Sequence, residues 1–330
     1  MIKIGNIELP DFPLLLAPME DVSDPPFRRL CKMHGADLMY SEFISSEGLI
    51  RDAIKSRQKL DIFDYERPVG IQIFGGDEEA MALSAEIVST VNPNLIDINF
   101  GCPVKKVVCK GAGAGVLKDV DLMIRLTKAV IRSTNLPVTV KTRLGWDDNS
   151  INIDEVAERL QDIGVQALSI HARTRAQMYK GHSDWSHIAR VKNNPRITMP
   201  IFGNGDIDSA EKALEYKNKY GIDGIMIGRA AIGYPWIFNE IKHYFETGEN
   251  LPLPTIIDRV EAARNHLTWS MDWKGERLGI VEMRRHYTNY FKGIAAFKDH
   301  KQQLVTLDEP ENLFKKLSEI EEIYGNYQFL

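Results

Sequence analysis

Cys102, Lys141 and His171 are the side chains here best placed for chemistry, because each ends or interrupts an apolar run. Cys102 lies in Asn99-Phe100-Gly101-Cys102-Pro103. A thiol titrating near its ordinary value of about 8.5 stays protonated at neutral pH and can donate a proton; the bland alternative is an inert buried cysteine. Lys141 interrupts Val138–Arg143, and lysine is almost never buried without a partner. It can neutralise an electron-rich cofactor, form a Schiff base, or pair with an inward acid such as Asp97 or Glu42. His171 opens HARTR (171–175) and can hydrogen-bond a phosphate or a ring oxygen, or simply be structural. Gly205 and Gly228 let backbone N–H groups approach an anion, unless they only make tight turns. The cysteines, at 31, 102 and 109, form no CxxC pair and lack histidines at finger spacing. A disulfide scaffold and a zinc site are therefore not expected, no metal is expected, and a reducing, cytoplasmic setting is.

The elements that must hold these groups are short. Apolar runs recur at 14–19, 38–43, 69–74, 95–100, 138–143, 167–172, 200–205 and 224–229, with the length and β-branched content of buried strands. Helical patterns separate them, as at 78–91, 119–133 and 153–164, and Asp208 with Glu211 suggests a capping box before a helix ending on Gly221. Strand then helix, eight times over, predicts a (β/α)8 TIM barrel, which carries its active-site groups at the C-terminal strand ends. An open doubly wound sheet is the runner-up, but no GxGxxG follows the first strand. After Gly248 the strands stop. LPLP (251–254) reads as a linker, and Ile257, Val260, Ala263 and Leu267, like Leu313, Leu317, Ile320 and Tyr324, have helical spacing. The division expected is a barrel over 1–248 and a small all-helical C-terminal domain over 249–330.

The chain has 330 residues, 44% hydrophobic and 26% charged, with 41 Lys and Arg against 46 Asp and Glu, net −5. That is globular composition with ample core, and it excludes a globally basic nucleic-acid binder but not a local basic patch. The N-terminal run Phe12–Met19 is short and broken by Pro13 and Pro18, so neither a signal peptide nor a membrane span is expected.

Taken in order, LAPMEDVSDPPFR (16–28), QIFGG (72–76), DINFGCPVKKV (97–107), KGAGAGVL (110–117), VKTRLGW (140–146), HARTRAQMYKG (171–181), GNGDI (203–207) and IMIGRAAIGYPWIF (225–238) resemble the tRNA-dihydrouridine synthases. RRHYTNYFKG (284–293) resembles that family's C-terminal domain, and the branch looks closest to the bacterial B-type enzymes. The resemblance implies FMN-dependent reduction of a uracil C5=C6 bond in tRNA, with NADPH or NADH as reductant. It implies FMN contacts from Ala17, Pro18, Met19, Gln72, Lys141 and His171, with the phosphate held by Asn204, Gly205, Asp206, Gly228 and Arg229. Cys102 is implied as the proton donor to C5, with hydride reaching C6 from the flavin. Asn99 is implied to orient the uracil, and Arg143, Arg173, Arg175 and Tyr179 to contact tRNA. A base stacked inside folded tRNA must be turned out to be reached, a D-loop uridine being the expected target.

Residues 284–301 carry Arg284, Arg285, Lys292, Lys298 and Lys301 against Asp299, with Tyr287, Tyr290 and Phe291 between them. Beside the resemblance this reads as a tRNA-binding patch, extended towards the barrel mouth by Lys105, Lys106 and Lys110. Without it, the same residues read as a solvated helix face over core aromatics. Three other activities stay open: an FMN-barrel reductase of a small molecule (dihydroorotate-type), a Schiff-base aldolase using Lys141, and a tRNA-binding chaperone. No membrane partner and no obligate protein partner are expected.

Overall fold

The computed structural model describes residues 1–329, and in it the apolar runs become the staves of one parallel barrel. The strands are β1 (Ile2–Ile4), β2 (Ile7–Leu9), β3 (Leu14–Leu16), β4 (Met39–Tyr40), β5 (Ile44–Ser45), β6 (Val69–Phe74), β7 (Leu95–Asn99), β8 (Val138–Arg143), β9 (Leu168–His171), β10 (Ile201–Asn204) and β11 (Gly224–Ile227). The helices among them are α1 (Pro25–Met33), α2 (Ser46–Ile50), α3 (Ile54–Gln58), α4 (Glu78–Thr90), α5 (Lys105–Val108), α6 (Val120–Arg132), α7 (Ile153–Asp162), α8 (Ser186–Lys192), α9 (Ala210–Tyr220) and α10 (Ile237–Thr247). Then come α11 (Ile256–Lys274), α12 (Glu276–Tyr290), α13 (Lys298–Thr306) and α14 (Pro310–Tyr324), with no further strand among the described residues.

Strands of a parallel sheet are covered on both faces and so read as continuous apolar runs. All five residues of β7 are buried, although Asp97 and Asn99 are among them. The strand order is β3-β11-β10-β9-β8-β7-β6-β4, and a bridge between Leu15 and Leu38 closes the ring. The second stave departs from the single run 38–43. It breaks after Tyr40 and resumes as β5, which pairs with β6 higher up, Ile44 beside Ile73. At the break the Ser41 hydroxyl replaces a strand carbonyl and accepts the Gln72 N–H at 3.1 Å.

Two features lie outside the sequence expectation. The hairpin β1–β2 caps the N-terminal end of the barrel, where Ile4, Ile7 and Leu9 join the inward Leu15, Leu38, Phe202 and Met226 in one apolar cluster. Helix α9 is capped by Ser209, whose side chain accepts the Lys212 N–H, and not by Asp208. The expected stop at Gly221 is present, in the left-handed conformation at φ +60°.

The last four helices bury their own apolar cluster, including Val260, Leu267, Ile280, Met283, Leu313, Leu317 and Ile320. Within it the expected Ile257 is corrected: it is half exposed, and Ile256, one position earlier, is buried. Leu30 of α1 joins this cluster from the barrel side. Gly233 lets the barrel approach α12, since a Cβ there would stand 2.5 Å from the His286 carbonyl oxygen. Among the described residues, no helix is long and apolar enough to cross a membrane.

Candidate active site

Strand register decides which side chains meet. Asn99 of β7 lies beside Lys141 of β8, Arg143 beside His171 of β9, and His171 beside Asn204 of β10. Their strands end at the mouth of a cavity of about 610 Å³ at the C-terminal end of the barrel. It is lined by Ala17, Pro18 and Met19 after β3, by Asn99 and Cys102 after β7, and by Lys141 and Arg143 of β8. His171, Tyr179, Asn204, Gly205, Asp206, Gly228 and Arg229 complete the part of the wall foreseen in the sequence. A hollow of about 690 Å³ at the opposite end has Arg67 as its one ionisable lining residue and carries no convergent chemistry.

Beneath the cavity runs a directed chain of hydrogen bonds. Gln72 and Thr139 donate to the buried Asp97 carboxylate at 2.6 and 2.5 Å. Asn99 Nδ2 donates to Gln72 Oε1 at 2.8 Å. With its amide oriented this way, Asn99 Oδ1 accepts the backbone N–H groups of Gly101 and Cys102 at 2.9 and 2.8 Å. Burial pushes the Asp97 carboxyl up to about 6, against the lowering by Gln72, Thr139 and Lys141. The Cys102 side chain faces the cavity on this braced turn, and burial raises its pKa above the ordinary thiol value. The thiol is therefore protonated at neutral pH.

Cations gather on the neighbouring strands. Lys141 donates to Asn204 Oδ1 at 3.2 Å, not to Asp97 or Glu42, and burial followed by the adjacent Arg143 brings its pKa down to about 8. Asn204 is fixed in turn by donating to the Met226 carbonyl at 2.8 Å. His171 is neutral: burial, then Arg143, Lys141, Arg173 and Arg229, hold its pKa well below the usual imidazole range. Burial and like charge both disfavour a further cation, so the site as folded favours an anion.

At the far wall, Asp206 organises two arginines. It accepts from Arg173 at 2.6 Å and from Arg229 at 3.0 Å, and it also accepts the Ser183 backbone N–H at 2.9 Å. Burial would raise its pKa, but the hydrogen bonds from Arg173 and Ser183 win and it is lowered. Gly205 precedes it at φ +129°, where a Cβ would stand 3.0 Å from Ser183 Cβ and 3.2 Å from the His171 ring.

Several residues singled out in the sequence stand elsewhere. Gln72 lies under the cavity and braces Asn99. Arg173 is almost fully buried and holds the loop after β9 through the carbonyls of Lys180 and Gly181. Arg143 lines the cavity, but its guanidinium donates to the carbonyls of Gly101, Thr174 and Met178. Arg175 packs on the Trp146 ring at 4.5 Å. Lys105 and Lys106 are exposed on α5. Arg284 reaches the Leu307 carbonyl, while Arg285 donates to the Asp21 carbonyl at 2.5 Å and joins α12 to the cavity wall. The aromatics between them are corrected outright: Tyr287, Tyr290 and Phe291 are buried in the helical core and offer no face to RNA.

Glu20, Phe43 and Met226 line the cavity without having been singled out. Phe43 arrives through the break in the second stave, which no local pattern announces. Glu20 is paired with Lys59 at 2.7 Å, and the same ammonium lies 3.6 Å from Glu42, whose burial raises its carboxyl to about 7, so one lysine is shared between the two acids.

Comparison with known proteins adds an independent line. A family model described as dihydrouridine synthase (Dus) matches residues 15–324. A probable tRNA-dihydrouridine synthase of Rickettsia conorii is 38% identical over 97% of this chain and 96% of its own. The tRNA-dihydrouridine synthase B of Pseudomonas aeruginosa is 38% identical over 94% of this chain and 93% of its own. Solved structures share the fold at far lower identity. Morphinone reductase, in complex with tetrahydroNAD, superposes with a TM-score of 0.52 at 12% identity, over 76% of this chain and 90% of that one. A 2-naphthoyl-CoA reductase gives 0.57 at 12% identity, over 73% of this chain and 51% of that one.

Proposed function

The chain belongs to the dihydrouridine synthase family, and on that premise we propose that it is a tRNA-dihydrouridine synthase, a flavin-dependent reductase of the C5=C6 bond of specific uridines in tRNA. The observation that carries the reading is a protonated thiol, Cys102, in one cavity with a lysine and a neutral histidine.

The residues present fit FMN. One wall of the cavity, with Lys141 and Arg143 on adjacent strands, is cationic, and Gly205 leaves a cradle that any Cβ would narrow against His171 and Ser183. Ala17, Pro18, Met19, Lys141 and His171 would hold the ring, and the turns at 204–206 and 228–229 the phosphate, with Gln72 acting from below through Asn99. Bound FMN, reduced by NADPH or NADH, would supply the hydride that uracil C6 receives. Cys102 Sγ holds the proton that C5 requires, and its raised pKa keeps that proton in place until charge develops at C5. Lys141, still mostly protonated at neutral pH, would bring positive charge to the electron density that builds on the bound group. Asn99 keeps the Cys102 turn rigid, and its second amide hydrogen, unpartnered among the described residues, is available to a uracil oxygen. A base stacked in folded tRNA is out of reach of groups inside the barrel, so the target nucleotide is turned out of the tRNA. We assign catalysis to residues 1–248, RNA docking to 249–330 and the rim, a D-loop uridine as target, and the cytoplasm as the place of work.

The test is the visible spectrum of the purified protein, then anaerobic NADPH or NADH, then dihydrouridine analysis of tRNA lacking the modification. The expected sequence is flavin bands, bleaching, and new dihydrouridine. A colourless protein that FMN cannot reconstitute removes the cofactor reading. A flavoprotein that bleaches but leaves tRNA unchanged points to a small-molecule substrate.

A further inference from the structure

Two short helices on the barrel rim bury none of their residues: α3, Ile54–Gln58, and α5, Lys105–Val108. Isolated helical turns of this length are not stable in water, and neither of these has a side-chain cap. Ile54 is 85% exposed, far beyond its apolar neighbours on the segment, and Val104 at the start of α5 is 49% exposed. Arg51 and Lys55 flank Ile54, and Lys110 follows α5. All three are exposed, and none has a carboxylate within salt-bridge distance among the described residues, whereas the nearby Arg57 and Lys59 are paired with Asp52 and Glu20.

The two helices belong to one surface. A Cβ at Gly48 would stand 2.6 Å from Ser56 Oγ of α3, and one at Gly75 would stand 2.1 Å from Ser46 Oγ of α2. One at Gly76 would stand 2.7 Å from the Gly111 carbonyl oxygen and 3.0 Å from that of Lys110. Packing thus runs unbroken from α3 through α2 and the loop after β6 to the loop after α5. The belt meets the cavity at both ends, because Phe43 before α2 and Val104 before α5 both line it. It also abuts the helical region, where Gln58 donates to the Trp273 carbonyl at 3.5 Å and Trp273 Nε1 to Asp61 at 2.8 Å.

We infer that this α3–α5 belt is a second RNA-binding face, on which the strand flanking the flipped nucleotide lies, with Arg51, Lys55 and Lys110 on its phosphates and Ile54 against a ribose or base. The inference rests on the tRNA reading above. Its chemistry is that of a polyanion with apolar edges: unpaired cations release counterions from phosphates, and an exposed aliphatic side chain covers an unstacked sugar or base.

The two kinds of residue leave different signatures. For Arg51→Glu with Lys55→Glu, tRNA affinity near physiological salt falls at least tenfold, and the slope of log affinity against log salt becomes shallower by about two. For Ile54→Ser, affinity falls about threefold to tenfold with the slope unchanged, because no counterion is involved. Both variants are expected to melt at the wild-type temperature, since no buried contact is removed. If wild-type protein binds and modifies tRNA while both variants bind with wild-type affinity and slope, the belt is overturned and the tRNA reading stands. If the wild type itself neither binds nor modifies tRNA, both are overturned.

Discussion

Asn99 fixes the position of Cys102 through one carbonyl, whose Oδ1 accepts the Cys102 backbone N–H at 2.8 Å. The same oxygen takes the Gly101 N–H, and Gln72 holds the amide the right way round. Asn99→Ala leaves two N–H groups on this turn without that acceptor, at about 1–3 kcal/mol for each that stays unsatisfied, and lets the thiol drift. Dihydrouridine formation in a single turnover is expected to fall about 100-fold, the scale of an ångström-sized misplacement, while anaerobic flavin bleaching keeps its rate. Equal losses in the two assays would place Asn99 in flavin binding instead.

Cys102→Ala tests the proton. Flavin content and NAD(P)H oxidation persist, and product formation drops by about 10²–10⁴, the range for a lost general acid. The raised thiol pKa is read from thiolate reactivity, separately from Lys141, which titrates near 8. The thiolate is the form that alkylates, so iodoacetamide modification of Cys102 stays slow through the ordinary thiol range near 8.5 and rises only at higher pH. Alkylation that rises below pH 8 contradicts this environment for the thiol.

Lys141 carries a stability cost that a bound anion removes. Its pKa of about 8 lies below the ordinary value near 10.4, so the folded chain releases this proton before the unfolded chain does. Between those pH values the unfolded state binds more protons, and the Lys141 contribution to stability rises with pH; below about 8 the charged form is held at a cost. Lys141→Met is therefore expected to raise the melting temperature of the flavin-free protein at pH 7, by about 2 °C per kcal/mol recovered, and to weaken FMN binding. An unchanged melting temperature together with unchanged FMN affinity would remove Lys141 from the site.

Arg285 is exposed, and its guanidinium holds Asp21, next to the cavity-lining Glu20. Arg285→Ala frees that wall from α12. The rate of tRNA modification is expected to fall about tenfold with no change in the salt slope of tRNA affinity. A slope shallower by about one would return Arg285 to direct phosphate contact.

The sequence alone determined the alternation of strand and helix, and with it the barrel, because parallel buried strands need unbroken apolar runs. It also brought out Cys102, Lys141 and His171, since a polar group at the end of such a run has nowhere to point but the mouth. Register then fell to tertiary pairing: Arg143 beside His171 beside Asn204 depends on how three strands align across more than sixty residues of chain. The same holds for charges whose partners are remote in sequence. Arg173 and Asp206, like Arg285 and Asp21, pair across loops; pairing makes the buried Arg173 an internal brace and ties the exposed Arg285 to the segment beside the cavity. The break at Ser41 that brings in Phe43 leaves no local trace, because a hydroxyl stands in for a strand carbonyl. Likewise the aromatics of α12 read as a binding face until the packing of four helices turned them inward, where apolar burial outweighs any surface role.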